Sequence, residues 1–298
     1  MGLSINNLTM VFNEHTAVDD ISLHVEEGEM YGFLGGNGAG KTTTFRMILN
    51  LLKPTKGTIT WNDTHINYDV TDMIGYLPED RGLHPKLTVQ EQVTYLGRLK
   101  GMSQRDALEA LKYWLDRFCV SENLNKKIGS LSKGNQQKIQ LIASIIHNPK
   151  LIILDEPFSG LDPVNVELLK EAVLELNKNG ATIIFSSHRM EHVEELCESI
   201  CILNKGKQVL SGKISDIKRS YKEKRMTITG EHDLAFLENA PGVLEYTKKN
   251  DTITLKIAEE SYAKDIYETI SSIGYFKKIS VEDPTLNEIF IEKVGRKQ

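Results

Sequence analysis

The segment "EMYGFLGGNGAGKTTTFRMILNLL", Glu29 to Leu52, constrains the fold more than any other part of the chain. It opens on a compact apolar run and passes glycines at 35, 36, 38 and 40. It then continues with Phe45, Ile48, Leu49 and Leu52 at helical spacing, until Lys53-Pro54 should stop it. A buried strand, a tight loop and a helix in that order begin a parallel sheet with helices packed on it. The glycines also have a chemical reading. They let the backbone turn tightly and bring its N–H groups inward, and a helix beginning near Lys41 aims its positive end at the same point. An anion belongs there.

Gly35-x-x-x-x-Gly40-Lys41-Thr42 is the P-loop pattern, and it lies between a predicted strand and a predicted helix. On this reading the backbone of Gly35, Gly36, Asn37, Gly38, Ala39 and Gly40 cradles a phosphate chain. Lys41 reaches the β- and γ-phosphates, Thr42 ligates Mg²⁺, and Thr43 supports the α-phosphate side. No Asn-Lys-x-Asp guanine reader is visible, which favours ATP. A second element completes the chemistry. "LIILDEP" ends an aliphatic strand on Asp155 and Glu156, and strand alternation sends neighbours to opposite sides. Asp155 fits the acid that holds Mg²⁺ beside a P-loop, and Glu156 would orient or activate the attacking water.

The remaining pattern supplies the frame. "LSINNLTMVF", "DDISLHVEEGE" and "GTITWNDTHI" alternate with period two and read as antiparallel strands. "TVQEQVTYLGRLKG" and "SQRDALEALKYWLDRFCV" read as helices, and a third follows "LSKGNQQ". "KLIILDEP" and "ATIIFSSH" are buried strands joined by a helix with Asp162 as N-cap, Pro163 in its first turn and Gly180 past its end. The basic stretch "SDIKRSYKEKR" reads as a linker. Beyond it, "RMTITG", "TITLKIA" and "KKISVED" look like strands, and "YAKDIYETISSIG" and "PTLNEIFIEKVG" like helices. The expected organisation is an α/β domain over 1–214 with a helical subdomain over 79–147, a linker over 215–224, and a small α+β accessory domain over 225–298.

Composition excludes several alternatives. Spanning a bilayer takes about 20 consecutive apolar residues, and the best runs, "LIASII" and "LIIL", are far shorter. The N-terminus has neither the charged-then-apolar layout of a signal peptide nor the Ser or Thr of a myristoylation site, so a cytoplasmic location is expected. A net charge of −5 argues against nucleic acid as the main partner. Three cysteines, with Cys197 and Cys201 spaced for one helix, read as reduced buried thiols.

Further motifs carry a resemblance to a known family. "LSKGNQQ" (Leu131–Gln137) is similar to the signature of ATP-binding cassette (ABC) ATPases. "SGLDP" (Ser159–Pro163) resembles their D-loop, and "SSH" (Ser186–His188) their switch histidine. Phe12 precedes the P-loop where the family's adenine-stacking aromatic falls. The ordered motifs cover Leu3 to Gly212, and they imply a P-loop NTPase core with an antiparallel β subdomain and a helical subdomain, binding ATP and Mg²⁺. His188 would contact the γ-phosphate. Ser132, Gly134 and Asn135, at the start of a second helix, would cap the nucleotide held by a second ATPase protomer, so each chain supplies half of each site.

The family usually has proline at Gly36 and glycine and glutamine at Lys133 and Asn135. Its metal-contacting glutamine is here Glu79, a carboxylate able to meet Mg²⁺ directly or through water. "YLPEDRGLHPKLTV", "LSKGNQQK" and the ending "DPTLNEIFIEKVG" look most like exporter-type subunits, which include sodium-extrusion and drug-resistance systems. That resemblance implies an integral membrane permease as partner, docked on the segment from Glu79 to Ile128, and a peripheral place on the cytoplasmic membrane face. Ribosome-associated ABC proteins carry two cassettes, and the DNA-repair type inserts a long coiled coil between P-loop and signature. This chain has neither.

Overall fold

Alternating apolar residues at the start of the chain pair as strands β1 (Gly2–Phe12) and β2 (His15–Glu26), which bury Leu3, Ile5, Leu8, Ile21 and Val25 on one face. The computed structural model describes residues 1–80 and 82–295. Strand β3 (Met30–Leu34) is buried along its whole length and runs through the glycine loop into helix α1 (Lys41–Ile48). Strands β4 (Lys56–Trp61) and β5 (Thr64–His65) form a hairpin whose corner, Asn62 and Asp63, has φ values of 47° and 63°. That left-handed pair matches the twist of the flanking strands, and Asn and Asp tolerate it.

Helix α2 (Tyr68–Asp72) leads to strand β6 (Ile74–Leu77), and three helices follow: α3 (Val89–Leu99), α4 (Gln104–Arg117) and α5 (Lys133–Ile145). Their starts are coded locally. Thr88 and Glu91 make a reciprocal capping box, while Ser103 and Ser132 each accept from a backbone N–H in the first turn. Each such cap is worth about 1 kcal/mol. Strand β7 (Leu151–Asp155), helix α6 (Pro163–Lys178), strand β8 (Thr182–Ser187), helix α7 (Met190–Leu196) and strands β9 (Ser199–Asn204) and β10 (Lys207–Lys213) complete this unit.

The strands join in one sheet of order β5-β4-β1-β2-β10-β9-β3-β8-β7-β6. β3 pairs in parallel with both β8 and β9, and β7 lies parallel between β8 and β6. The carboxyl ends of β3, β7 and β8 therefore open at one edge, which is where ligands bind in open α/β sheets. Under that edge Phe33 packs edge-on to Phe45 of α1, ring centroids 5.3 Å apart, so apolar contact fixes the helix to the strand it follows.

The second unit begins at Lys213. Helix α8 (Ile214–Arg219) is followed by strands β11 (Lys224–Thr229), β12 (Val243–Lys249) and β13 (Thr252–Ile257), helix α9 (Ser261–Ser271), strand β14 (Lys278–Glu282) and helix α10 (Leu286–Gly295). The four strands are antiparallel in the order β12-β13-β11-β14. Met226, Ile228, Leu255 and Ile257 pack with Ile266 and Ile270 of α9 in a core of its own. Residues 296–298, the end of the expected accessory domain, lie outside the described residues.

Four expectations need correction. The whole first half of the expected linker is helical, because α8 buries Ile214 and Ile217 one turn apart. Helix α1 stops at Ile48 rather than Lys53-Pro54, and Asn50 adopts a left-handed φ of 56° just beyond its end. Cys197 and Cys201 do not share a helix: Cys197 follows α7 in extended geometry and Cys201 lies in β9. All three thiols are free, yet only these two are buried, and Cys119 is exposed. Burial pushes the Cys201 thiol up to about 12 and the Cys197 thiol well above its ordinary value, so both are poor nucleophiles.

Candidate active site

The glycine loop is held from behind. Gly40 has φ 105°, and a Cβ there would stand 2.7 Å from the Ala17 carbonyl oxygen. Gly36 differs, since a Cβ there would meet nothing within 4 Å. Gly40→Ala is therefore expected to lose about 1–3 kcal/mol through backbone strain, and Gly36→Ala to unfold within about 0.5 kcal/mol of the parent. Thermal unfolding of the two variants side by side checks this. Equal losses would show that the loop does not depend on the close approach at Gly40.

Lys41, only 7% exposed, folds its ammonium onto the loop and donates to the carbonyl oxygens of Gly35 at 2.7 Å and Gly36 at 3.3 Å. One residue on, the Thr42 hydroxyl donates to Asp155 Oδ2 at 2.8 Å. Asp155, at the end of β7, is buried, and its Oδ1 accepts from the Ser186 hydroxyl at 2.5 Å. Ser186 Oγ in turn accepts the Glu156 backbone N–H at 3.0 Å. Glu156, the residue after β7, sits at a left-handed φ of 52°. Its Oε2 lies 2.8 Å from Nδ1 of His188. The two adjacent side chains thus have different partners, Thr42 and Ser186 for Asp155 and His188 for Glu156. Glu156 lies past the end of β7, so its left-handed backbone rather than strand alternation accompanies the divergence. Burial, then the negative Asp155, push the Tyr76 phenol up to about 12, so it stays neutral.

A cleft of about 570 Å³ gathers most of the residues named from sequence. Phe12, 41% exposed at the end of β1, forms one side. Asn37 to Thr43, Glu79, Asp155 and Glu156 form the rest, joined by His15 and Ala17. His15 and Ala17 were not anticipated. They arrive because β2 pairs back on β1, with Phe12 opposite His15, a long-range register that no local motif announces. His188 lies beside the cleft through Glu156. Gly35 stands behind the loop against Leu203 and Ala39. Ser132, Gly134 and Asn135 are not among the lining residues. They start α5, where Ser132 Oγ accepts the Asn135 N–H at 3.2 Å and Gly134 faces Asn165 and Leu161.

The donor set suits Mg²⁺. Thr42 Oγ1, the Asp155 carboxylate and the Glu79 carboxylate are hard oxygen ligands on one cleft. Among the described residues no group of three or more His, Cys, Asp or Glu side chains is placed to hold a metal. A small octahedral cation would therefore complete its shell with phosphate oxygens and water, which is how Mg²⁺ usually binds beside phosphates.

Fold and cleft together define a P-loop nucleoside triphosphatase. Residues 18–159 match the ABC transporter family, and residues 212–294 match the C-terminal domain of DrrA1-3-like ATP-binding proteins. The chain is 53% identical over 98% of its length, and 98% of the relative, to the uncharacterized ABC transporter ATP-binding protein YhaQ of Bacillus subtilis. It is 33% identical over 70% of both chains to the Nod factor export ATP-binding protein I of Burkholderia lata. Among solved structures, an ATP-binding subunit of an ABC transporter superposes with a TM-score of 0.70 at 30% identity, covering 74% of this chain and 93% of the other. The dimeric post-hydrolysis state of the cassette MJ0796 with ADP and Pi superposes with a TM-score of 0.65 at 25% identity, covering 71% and 98%. The chain belongs to the ABC transporter ATP-binding proteins and is an ATPase of that family.

Proposed function

We propose that the chain is the ATP-hydrolysing subunit of an exporter, and that two protomers close around two ATP molecules to drive a separate membrane permease. The observation that carries the reading is the separation of the two phosphate-binding helix starts. The P-loop lines the cleft, while Ser132, Gly134 and Asn135 begin another helix and do not line it. A head-to-tail pair of chains brings each signature onto the opposite P-loop and closes as a two-fold dimer. Within each site, Phe12 stacks on adenine, the loop amides and Lys41 hold the phosphates, and His188 meets the γ-phosphate. Glu156 orients and deprotonates the attacking water. Thr42, Asp155 and Glu79 would hold Mg²⁺, which when bound neutralises phosphate charge.

A groove supports the partner. Leu49, Leu51, Tyr76, Leu83, Leu96 and Leu99 contribute to a largely apolar cavity of about 540 Å³, with Leu51 and Leu99 more than 60% exposed. It lies between the end of α1 and the helical segment, where a permease is expected to dock, and exposed apolar surface of this kind marks interaction sites. Among the described residues no helix is long and apolar enough to cross a membrane. Export as the direction rests on the likeness to the Nod factor export protein, and a place at the cytoplasmic membrane face follows from docking on a membrane permease.

Mixing two inactive variants tests the shared site. Lys41→Ala lacks a P-loop lysine and Ser132→Ala lacks a signature serine, so a mixed dimer holds one intact site. Equal amounts should recover about a quarter of wild-type hydrolysis, from half the dimers carrying one site of two. A mixture no more active than its components would overturn the two-chain site.

A further inference from the structure

Glu79 stands where the family resemblance places a glutamine, and it follows the end of β6 by two residues. Its side chain lines the cleft wall. The backbone on both sides is held by a residue distant in sequence. The Gln140 side-chain amide, on α5, donates to the Pro78 carbonyl oxygen at 3.2 Å and to the Asp80 carbonyl oxygen at 3.1 Å. A primary amide has two N–H donors, so both are spent on the peptides flanking residue 79. Gln140 is 4% exposed, and its Oε1 is buried with no hydrogen-bond partner among the described residues. A buried polar side chain that leaves its acceptor unpaired is costly as mere filling, so a specific use of its donors accounts for it best. Leu77, one residue before Pro78, is already anchored in the sheet opposite Leu154. With Leu77 paired and both neighbouring carbonyls clamped, the direction of the Glu79 side chain is set.

We infer that Gln140 is the positioning residue for Glu79: it clamps the Pro78 and Asp80 carbonyls so that the Glu79 carboxylate faces the metal-bound nucleotide. The inference rests on the nucleotide reading of the cleft. It also makes Gln140 a link, because the same side chain forms part of the groove wall where the permease would dock, as does Pro78. An occupant of the groove that shifts Gln140 shifts Glu79 without touching it.

The test uses the full chain with a non-hydrolysable β,γ-imido ATP analogue and Mn²⁺ as the metal probe, with Mn²⁺ binding followed by electron paramagnetic resonance. Gln140→Met keeps the volume and removes both donors, and Gln140→Leu is the second variant should Met not fold. Each is expected to weaken Mn²⁺ binding to the nucleotide complex about fivefold, with metal-free nucleotide affinity unchanged and cooperative thermal unfolding retained at a temperature lowered by the loss of the two hydrogen bonds. Glu79→Ala alone should weaken Mn²⁺ at least as much, and adding Gln140→Met to it should change nothing further, the signature of two residues acting as one unit. Unaltered Mn²⁺ binding in Gln140→Met, an equal loss with and without Glu79, or no effect of Glu79→Ala would each overturn the inference while leaving the nucleotide site standing. Failure of the parent chain to bind the metal–nucleotide complex at all would instead overturn the reading of the cleft.

Discussion

Glu156→Gln is expected to bind ATP with near-parental affinity, to hydrolyse it about a thousandfold more slowly, and to accumulate as an ATP-filled dimer. Glutamine keeps the shape, and Glu156 is only 8% exposed in a pocket its length already fits. The amide oxygen can still face His188 Nδ1, now 2.8 Å from the carboxylate, and the backbone bond to Ser186 is untouched. What disappears is the basic oxygen. A positioned general base contributes about 10²–10⁴ in rate, and the phosphate-binding groups on the other cleft wall are unaffected. Single-turnover hydrolysis gives the rate, and light scattering with ATP against ADP gives the assembly. A rate within tenfold of the parent would remove Glu156 from the chemical step. A variant that stays monomeric at saturating ATP would show that this chain does not close the sandwich on its own.

The parts of the fold that local chemistry determines were legible in the sequence. The apolar run before Gly35 had to be a buried strand, and the capping residues Thr88, Ser103, Ser132 and Asp162 stand where helices start. Elements whose identity depends on distant partners were not. β10 carries no fully buried residue and finds its place only by lying beside β2 and β9. α8 is short, and its many charges concealed the two buried isoleucines. The site divides in the same way. Lys41, Thr42, Asp155 and Glu156 belong to contiguous motifs, and the structure brings them to one cleft. His15 enters through strand register, Ser186 through pairing of β7 with β8, and Gln140 through the packing of α5 under β6. Each is an ordinary polar residue until the chain is folded. Gln140 had one clue, since an amide amid "KIQLIASII" interrupts an apolar run.

Lys41→Ala should abolish turnover and weaken ATP binding by about one to two orders of magnitude, consistent with the loss of charge-assisted hydrogen bonds of roughly 1.5–3 kcal/mol. The fold should survive. Among the described residues the ammonium bonds the Gly35 and Gly36 carbonyls of its own loop, and Gly40, braced on Ala17, still holds the loop's start of helix. ATP would then face oriented amides with no compact cation among them, and the γ-phosphate would develop charge unopposed on that side. Lys41→Arg should fare little better, because a planar guanidinium is bulkier than an ammonium that is now 7% exposed within a tight loop. Calorimetric titration with ATP measures the affinity, and a coupled phosphate assay the turnover. The comparison with Glu156→Gln is the informative one. The two residues lie on one cleft, yet one variant should bind without hydrolysing while the other should lose both, because Lys41 acts on the ground state and the transition state alike and Glu156 on the transition state alone. Parental activity in Lys41→Ala would mean that the phosphates lie elsewhere.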